Sequence, residues 1–538
     1  MSEPNLPELI QLSPFTKALS KNVKTIKKKP FIDEQSRITV SNTVSFFALV
    51  YERIRNAVEY REEHLIRRAA IERILKRRLT LNPEGKGEAE NLLRELLWAK
   101  YFATGSLGLI DSENVQKLID IYVKMRKKLV VGQTGTKKVY YNEFLFDILT
   151  CEIEETLDPF EATKNSLFSF YMYHVLKDKI KVEQVSSAHK DTYFYVAIEK
   201  GYAKSDRSYL RYHLFSLSHK LLKDIKDTEI DHFISECPAL FARLDRIIIN
   251  PVVDRMTKFV RSQLPPFLIL FNIINRNLSH TDELLSDKAK LWEQVDQMCR
   301  EKYQQTNSRL RITAIRSLIY IFLTKMIFAL ILEYPLSLYL YNEVSWISIG
   351  INSLFPPILM VFIISFVRLP GEENTKRLYN RIINIIDIDT SFESTVSYLI
   401  KPPKVRKPML IFGFTVFYSL TFIITLSLIH AGLSLLSFNL ISEIIFIFFV
   451  SVVSFFAYRV KQIAKEFKLQ EKDGFFSPFF DFFFMPILSI GKFFSNEIAK
   501  LNIFMVIFDF LIEAPFKLIF EVVEEWISFV RARKEEIM

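Results

Sequence analysis

The chain has 538 residues and a formal net charge of +10 at pH 7, with 49% hydrophobic and 25% charged residues. Its three cysteines are far apart and form no CxxC pair, which excludes a disulfide framework and indicates reduced thiols. Only 13 residues are glycine, against 49 phenylalanines. Because tight turns and glycine-rich ligand loops need glycine, this composition favours helices joined by short polar turns.

Residues 1–37 are predicted to form a basic, poorly ordered arm. They contain the lysine-rich stretch KALSKNVKTIKKK (17–29) but no apolar core, so the rest of a secretory signal is missing. The charge of this stretch is all of one sign. Lys27, Lys28 and Lys29 are therefore candidate contacts for anionic lipid headgroups.

Residues 38–310 are predicted to form an all-α cytoplasmic domain. Apolar positions recur every three or four residues, most clearly in a helix expected at 42–79. The run 265–275 is too short to cross a membrane and is predicted to be a buried core helix, and 130–141 is a candidate β-hairpin. The arginines of 67–78 point all around their helix among glutamates, which favours a solvated, ion-paired helix over a nucleic-acid surface.

Four apolar runs are long enough to cross about 30 Å of hydrocarbon, which takes about 20 helical residues. They define a transmembrane region at 311–460, with spans expected at 316–340, 346–367, 409–433 and 438–458. The predicted fold class is therefore all-α: an integral membrane protein with a four-helix transmembrane region and a large cytoplasmic helical domain.

Basic residues in the connections indicate the orientation. The links 341–345 and 434–437 contain no lysine or arginine, whereas the link 368–408 contains eight such residues. Basic residues also precede the first span and follow the fourth. Because positive charge marks the cytoplasmic side of short loops, both termini and the basic loop 368–408 are expected in the cytoplasm, with the protein in the plasma (inner) membrane.

Residues 461–538 are expected to form amphipathic helices at the cytoplasmic face. Between Asn502 and Glu535, polar residues recur at spacings of seven, four and three, so they occupy about a third of the helix circumference. A helix lying in the membrane interface fits this stripe better than a fifth span. Phe479, Phe480 and Trp526 are the candidate lipid contacts, and packing on the protein's own domain is the alternative.

No motif of enzyme chemistry stands out, so a membrane-embedded enzyme is only the third hypothesis, and no cofactor is expected. The glycines of GQTGTKK (132–138) are too close together for a phosphate-binding loop, and a polar turn is favoured. Glu229 and His232 have the spacing of a metal-binding pair. Di-iron bundles need that motif twice with further glutamates, so a surface or capping role is favoured.

Polar residues inside the apolar runs form the candidate functional site. Lys325, Glu333, Asn352, His430 and Glu443 are costly there unless they face protein or water. Glu333, His430 and Glu443 are expected at a similar depth toward the outer side, and Lys325 nearer the cytoplasm. A proton- or ion-linked path is one interpretation. The favoured alternative is hydrogen bonding between helices, with side chains snorkelling to the headgroups.

Two stretches, EEHLIRRAAIERILKRRL (62–79) and IFDFLIEAPFKLIFEVVEEWISFVRARKEE (507–536), resemble segments of uncharacterised multi-span membrane proteins of candidate-phyla bacteria. The resemblance covers only part of the chain. It implies a bacterial membrane protein. That group carries no assigned activity, so the resemblance implies no function.

The expected function is that of a membrane-anchored scaffold or adaptor, and the alternative is a subunit of an ion or small-solute transporter or channel. The adaptor hypothesis predicts a conserved, exposed surface groove on residues 38–310. The transporter hypothesis predicts a polar cavity that reaches Glu333 and Asn352. The expected partners are the lipid bilayer and another protein; a homo-oligomer is an open alternative, and nucleic acid is not expected.

Overall fold

The structure is a computed structural model. It describes residues 9–26, 32–40, 62–183, 186–225, 227–342, 345–365, 369–388, 398–400, 408–464, 466–469 and 484–494, and the single residues 45, 49, 52, 367, 522, 526, 529, 530 and 533. These residues are overwhelmingly helical, as the hydrophobic periodicity predicts. They form two units, a helical domain and a bundle of apolar helices, which share one long helix.

The helical domain is built from helices that mostly follow one another after short turns. These are α1 (Pro14–Thr25), α2 (Glu63–Leu81), α3 (Glu88–Trp98), α4 (Leu109–Leu129), α5 (Gly135–Leu157), α6 (Pro159–Leu176), α7 (Ser187–Ile198), α8 (Arg207–Ser218), α9 (Ile230–Ile248), α10 (Pro251–Arg276) and α11 (Thr281–Ser286). A π-helical turn, Glu199–Ala203, follows α7. Local sequence explains some of these boundaries: Asp158 caps α6 through its carboxylate, and Pro159 fills the first helical position.

The first helix of the apolar bundle begins within the helical domain. α12 (Lys288–Phe328) leaves the domain and continues through a π-helical turn, Ala329–Glu333, into α13 (Tyr334–Tyr341). The later helices of the bundle are α14 (Trp346–Ser365), α16 (Pro408–Ser434), α17 (Leu440–Ala464) and α18 (Phe484–Phe494), and α15 (Glu372–Ile386) lies between α14 and α16 in the sequence. Four segments are long and apolar enough to cross a membrane, and they match the four predicted runs: Lys288–Tyr341, Trp346–Ser365, Pro408–Ser434 and Leu440–Tyr458.

The link 368–408 differs from the expected loop, because part of it completes the helical domain. α15 is amphipathic and buries Leu378, Ile382 and Ile386 in the domain core. A short strand, Tyr398–Ile400, then pairs in parallel with Ile180–Val182, which follows α6. These contacts join segments that are far apart in the sequence, so they are invisible to local periodicity.

The N-terminal arm also differs from the expectation of poor order, at residues 9–26. α1 packs against α6, and its residues Leu19 and Val23 are buried in the domain core. The Thr16 hydroxyl lies 2.9 Å from the Tyr171 hydroxyl. Amphipathic patterning therefore anchors this basic segment to the domain.

Two further predictions about local structure were wrong. The helix expected at 42–79 does not run through, because Glu62 is extended and α2 begins at Glu63. The candidate hairpin at 130–141 is a turn followed by α5, which begins at Gly135. The buried helix predicted at 265–275 is confirmed as part of α10, where Phe267 and Ile274 are buried.

Some ion pairs of the domain lie in its core, in addition to those on its surface. Arg211 is fully buried, 2.6 Å from Asp147 and 2.8 Å from Asp245. Arg67 of α2 is also buried and lies 2.8 Å from Glu154. The arginine-rich helix is therefore ion-paired as predicted, but Arg67 is buried rather than solvated, because its partner Glu154 on α5 is also buried.

The outer surface of the bundle is apolar, and its inner contacts are close. On α16, Met409 and Phe412 are 85% and 70% exposed, as expected for a surface that contacts lipid or protein.

α18 crosses α17 at its middle, where a Cβ atom on Gly491 would lie only 2.0 Å from the Ser451 carbonyl oxygen. α18 thus lies beside the middle of the bundle, whereas the sequence predicted that 461–538 lies at its cytoplasmic face.

Candidate functional sites in the bundle and in the domain

Lys325 and Glu333 form an ion pair inside the apolar bundle. The Lys325 Nζ lies 3.2 Å from the Glu333 Oε2, and neither side chain is exposed. Eight residues of α-helix rotate by about 800°, which leaves the first and last side chains about 80° apart. The π-helical turn Ala329–Glu333 is wider than an α-turn, so it reduces this angle and brings the two side chains toward one face.

Asn352 connects this ion pair to two other helices. Its Nδ2 donates to the Glu333 Oε1 at 2.5 Å and to the carbonyl oxygen of Ser442 at 3.0 Å. Because both neighbours are acceptors, the orientation of the Asn352 amide is fixed. The side chain therefore ties α14 to the π-helical turn and to α17. We call Lys325, Glu333 and Asn352 the buried polar cluster.

The buried polar cluster is closed. The Lys325 Nζ lies 4.7 Å from the centre of the Phe449 ring, a cation–π contact that covers its remaining side. All three side chains of the cluster have an exposed fraction of zero. Among the described residues the three side chains are therefore closed off from solvent, and no polar cavity is seen to reach them at this position.

One hydrogen-bond acceptor in the buried polar cluster has no donor. The Asn352 Oδ1 is buried and has no hydrogen-bond partner. Pro356 has no N–H, so the Asn352 carbonyl also cannot receive the usual helical bond from four residues ahead. A buried acceptor without a donor costs about 1–3 kcal/mol. The backbone and side chain of Asn352 therefore form the least satisfied point of the cluster.

The predicted group of Glu333, His430 and Glu443 is divided in the structure. The His430 Nδ1 lies 2.8 Å from the Glu443 Oε2, with His430 largely exposed and Glu443 buried. Glu333 instead pairs with Lys325. Lys325 therefore does not snorkel to the headgroups, because its carboxylate partner lies within reach in the bundle interior.

Sequence reasoning missed smaller polar contacts that join the same helices. The Asn439 Nδ2 donates to the Ser337 Oγ at 3.0 Å, and the Ser348 Oγ donates to the Ser437 carbonyl oxygen at 3.1 Å. Small polar residues at helix contacts are typical of membrane bundles. Their recurrence within the apolar runs was the available signal.

The candidate lipid contacts are mostly outside the described residues. Lys27, Lys28, Lys29, Phe479 and Phe480 all lie there. Trp526 is described and is 65% exposed, which is compatible with a surface contact.

A surface groove lies in the helical domain, between α6, α7, α8 and α9. Its volume is about 1410 Å³. Its lining combines aromatic, apolar and charged side chains, among them Phe170, Tyr173, Asp191, Tyr193, Tyr195, His213, Leu217, Arg243, Arg246 and Ile249. All of these residues lie within 38–310, the range in which the adaptor hypothesis predicts a groove.

His213 stiffens the floor of the groove. Its Nδ1 lies 2.9 Å from the Glu199 Oε2, and its Nε2 lies 2.8 Å from the Glu155 Oε1. Burial alone lowers the pKa of His213, but the two carboxylates outweigh burial and raise the pKa to about 10. Both nitrogens therefore carry protons and donate, and the imidazolium joins α5, α8 and the π-helical turn after α7.

No pattern in the sequence indicates this arrangement. Glu155, Glu199 and His213 come from three separate elements with no motif spacing. Glu229 has the surface role that was favoured for it, since it pairs with Lys220 at 2.9 Å, and His232 is largely exposed.

The part of the chain that the structure describes contains no assembled metal site. No group of three or more histidine, cysteine, aspartate or glutamate side chains in that part could hold a metal ion. Cys151, Cys237 and Cys299 are buried and free. No protein-family model, curated protein or solved structure matches the chain.

Proposed function

We propose that the protein is a membrane-anchored adaptor, whose helical domain binds a segment of a partner protein in the groove. The observation that carries the proposal is the groove itself, in which Phe170, Leu217 and Ile249 are each at least 60% exposed. Clustered apolar exposure of this kind marks binding surfaces. The four apolar helices serve as the anchor.

The shared helix α12 supports a rigid mount for the domain. Its 41 residues extend about 60 Å. Leu291 and Val295, near its start, belong to the domain core, whereas Ile321 belongs to the bundle core. A continuous helix of this kind would hold the groove at a set distance from the anchor without a flexible linker.

The closed buried polar cluster supports a structural role for the bundle as a membrane anchor rather than a path for protons or ions. Lys325, Glu333 and Asn352 are enclosed, and their polar groups bind one another across helices. In an apolar environment such contacts hold helices together, because separating them leaves unpaired charges. This is the interhelical role that the sequence favoured.

The proposed location is the plasma (inner) membrane, with the helical domain and both termini in the cytoplasm. Labelling with a membrane-impermeant maleimide tests this orientation. The chain's own described cysteines are buried, so background is low. Leu435→Cys, at an 86% exposed position, should react from outside, and Val131→Cys, at a 70% exposed position, only after the membrane is opened. The reverse pattern contradicts the orientation.

Photo-crosslinking in intact cells tests the adaptor function. A photoreactive phenylalanine analogue replaces Leu217 in the groove or Val139 on α5 away from it; both positions are 66% exposed and apolar. We expect a defined adduct with a second protein at Leu217 and none at Val139. Adducts at both positions, or at neither, contradict the proposal.

One observation favours transport as a second candidate function. The Asn352 Oδ1 lacks a donor, so water or a cation would satisfy it if the helices separated. Purified protein in vesicles separates the two functions. Proton or alkali-cation flux that Glu333→Gln abolishes supports transport and contradicts the adaptor proposal, whereas flux equal to that of empty vesicles contradicts transport.

A further inference from the structure

The groove is too large for a typical small ligand. Pockets for small molecules usually measure about 300–1,000 Å³, and this groove measures about 1410 Å³. Its lining residues lie on α6, α7, α8 and α9 and at the adjoining ends of α5 and α10. No strand edge lines it, so an added β-strand would have no ladder to join. A helix laid between helices is the recognition mode that fits this geometry.

The apolar contacts of the groove come from three different walls. Phe170 lies on α6, Leu217 on α8 and Ile249 just after α9, and they are 60%, 66% and 67% exposed. An amphipathic helix presents apolar side chains at every third or fourth position, so its apolar face is complementary to this lining. Their burial would supply the apolar part of the binding free energy.

The charge of the groove indicates the polar side of the occupant. Arg243 and Arg246 are exposed on α9, and neither forms an ion pair within the described residues. The Glu155 carboxylate is already bound to the His213 imidazolium, which leaves Asp191 of α7 as the opposing acid. Positive charge therefore dominates the α9 wall, and a carboxylate there would be complementary.

We propose that the groove binds an amphipathic helix of a partner protein, with its apolar face on Phe170, Leu217 and Ile249 and an aspartate or glutamate beside Arg243 and Arg246. The inference rests on the adaptor function proposed above and names the chemistry of its partner.

Hydrogen bonds hold the residues at the floor of the groove in place before a partner binds. His213 binds Glu155 and Glu199 at once, and the Tyr212 hydroxyl donates to the second oxygen of Glu155 at 3.1 Å. These bonds hold α5, α8 and the turn after α7 in place before binding. A surface that is ordered in advance loses less entropy when the partner binds.

Selection from a phage-displayed library of random helical peptides tests the proposal on the full-length protein in lipid nanodiscs. The test variant is Arg243→Glu/Arg246→Glu. The matched control, Lys137→Glu/Lys138→Glu, makes the same charge change at exposed residues that do not line the groove. A synthetic peptide of residues 505–533 serves as a competitor, because the chain's own tail is also acidic and apolar.

We expect the unmodified protein to select apolar helices with an acidic residue, and the test variant to bind them at least about tenfold more weakly and to select basic ones. The control variant should bind the selected peptides with the same affinity as the unmodified protein.

Selected peptides without an acidic preference, or with equal affinity for the test variant, overturn the inference. Such peptides leave the adaptor function standing if Leu217 still crosslinks a partner. Displacement of every selected peptide by the 505–533 peptide assigns the groove to the chain's own tail and also overturns it. If no peptide is selected and Leu217 gives no adduct, the adaptor function fails as well.

Discussion

The carboxylate of Glu333 receives an N–H of Asn352 at 2.5 Å, so a side chain of α14 completes an ion pair formed within the preceding helix. Glu333 is thereby held by donors from two helices. Since neither residue is exposed, their contact depends on both helices keeping their present positions.

Removing one charge of the Lys325–Glu333 pair should lower the free energy of unfolding more than removing both charges. Lys325→Met leaves the Glu333 carboxylate without its cation, and loss of one partner of a buried pair costs about 3–5 kcal/mol. The double variant Lys325→Met/Glu333→Gln should regain most of this loss, because no unpaired charge remains. Denaturant unfolding in detergent micelles measures the free energy of unfolding of each variant. A double variant as unstable as the sum of its two single variants would contradict the pairing.

Gly491→Ala should separate α18 from α17. The new Cβ atom would meet the Ser451 backbone carbonyl oxygen at 2.0 Å, which no side-chain rotation can relieve. We expect a loss of about 1–3 kcal/mol, the usual cost of overpacking. Gly432→Ala on α16 is the matched control, because a Cβ atom there meets nothing within 4 Å. Equal melting temperatures for the two variants would argue against the crossing.

The stability of the helical domain should fall between neutral and alkaline pH. The pKa of His213 is about 10 in the folded protein, against 6.5 for an unperturbed histidine. The folded state therefore binds this proton more tightly, and the resulting stabilisation is fully present below pH 6.5 and is lost as the pH rises toward 10. The slope should not exceed about 1.4 kcal/mol per pH unit.

The control for this pH dependence is His213→Gln, which keeps hydrogen-bonding groups but cannot titrate. Its unfolding free energy should lack the decline that the unmodified protein shows from pH 7 to pH 10. A parallel decline in both proteins would place the titrating group elsewhere.

Arg211 should matter far more than an exposed arginine with a similar partner. Arg211→Met leaves Asp147 and Asp245 without a shared cation in the core, which we expect to cost about 3–5 kcal/mol. Arg300→Met removes an exposed pair with Asp296, for which about 0–1 kcal/mol is expected. Thermal unfolding of the two variants compares them directly, and similar shifts would show that the buried pair is not a stabilising centre.

The apolar helices could be predicted because one local signal defines them. A run of about 20 apolar residues is recognisable without knowledge of its neighbours, and the four segments found match the four runs expected. The contribution of α15 to the domain could not be predicted in this way. Leu378 and Ile382 have helical spacing, but only the distant α10 and α12, against which α15 packs, show what they bury.

Residue types in the buried polar cluster could be predicted, but their pairing could not. The cost of charge in apolar runs identified Lys325, Glu333 and Asn352. Ideal α-helical geometry separates Lys325 from Glu333, and only the π-helical turn brings them together. The groove was expected somewhere on the domain, but its walls come from four helices. Nothing in the spacing of Leu217 and Arg243 indicates that they share a surface.

The parallel pairing of Ile180–Val182 with Tyr398–Ile400 has a consequence for how the protein is made. The second strand leaves the ribosome more than 200 residues after the first, which at about 5–20 residues per second is a delay of about 10–40 s. In that interval two apolar helices emerge, and α15 follows them. The domain thus remains unfinished, with part of its core uncovered, until those helices and α15 have been synthesised. During this period, chaperones should be needed to protect newly made chains from aggregation.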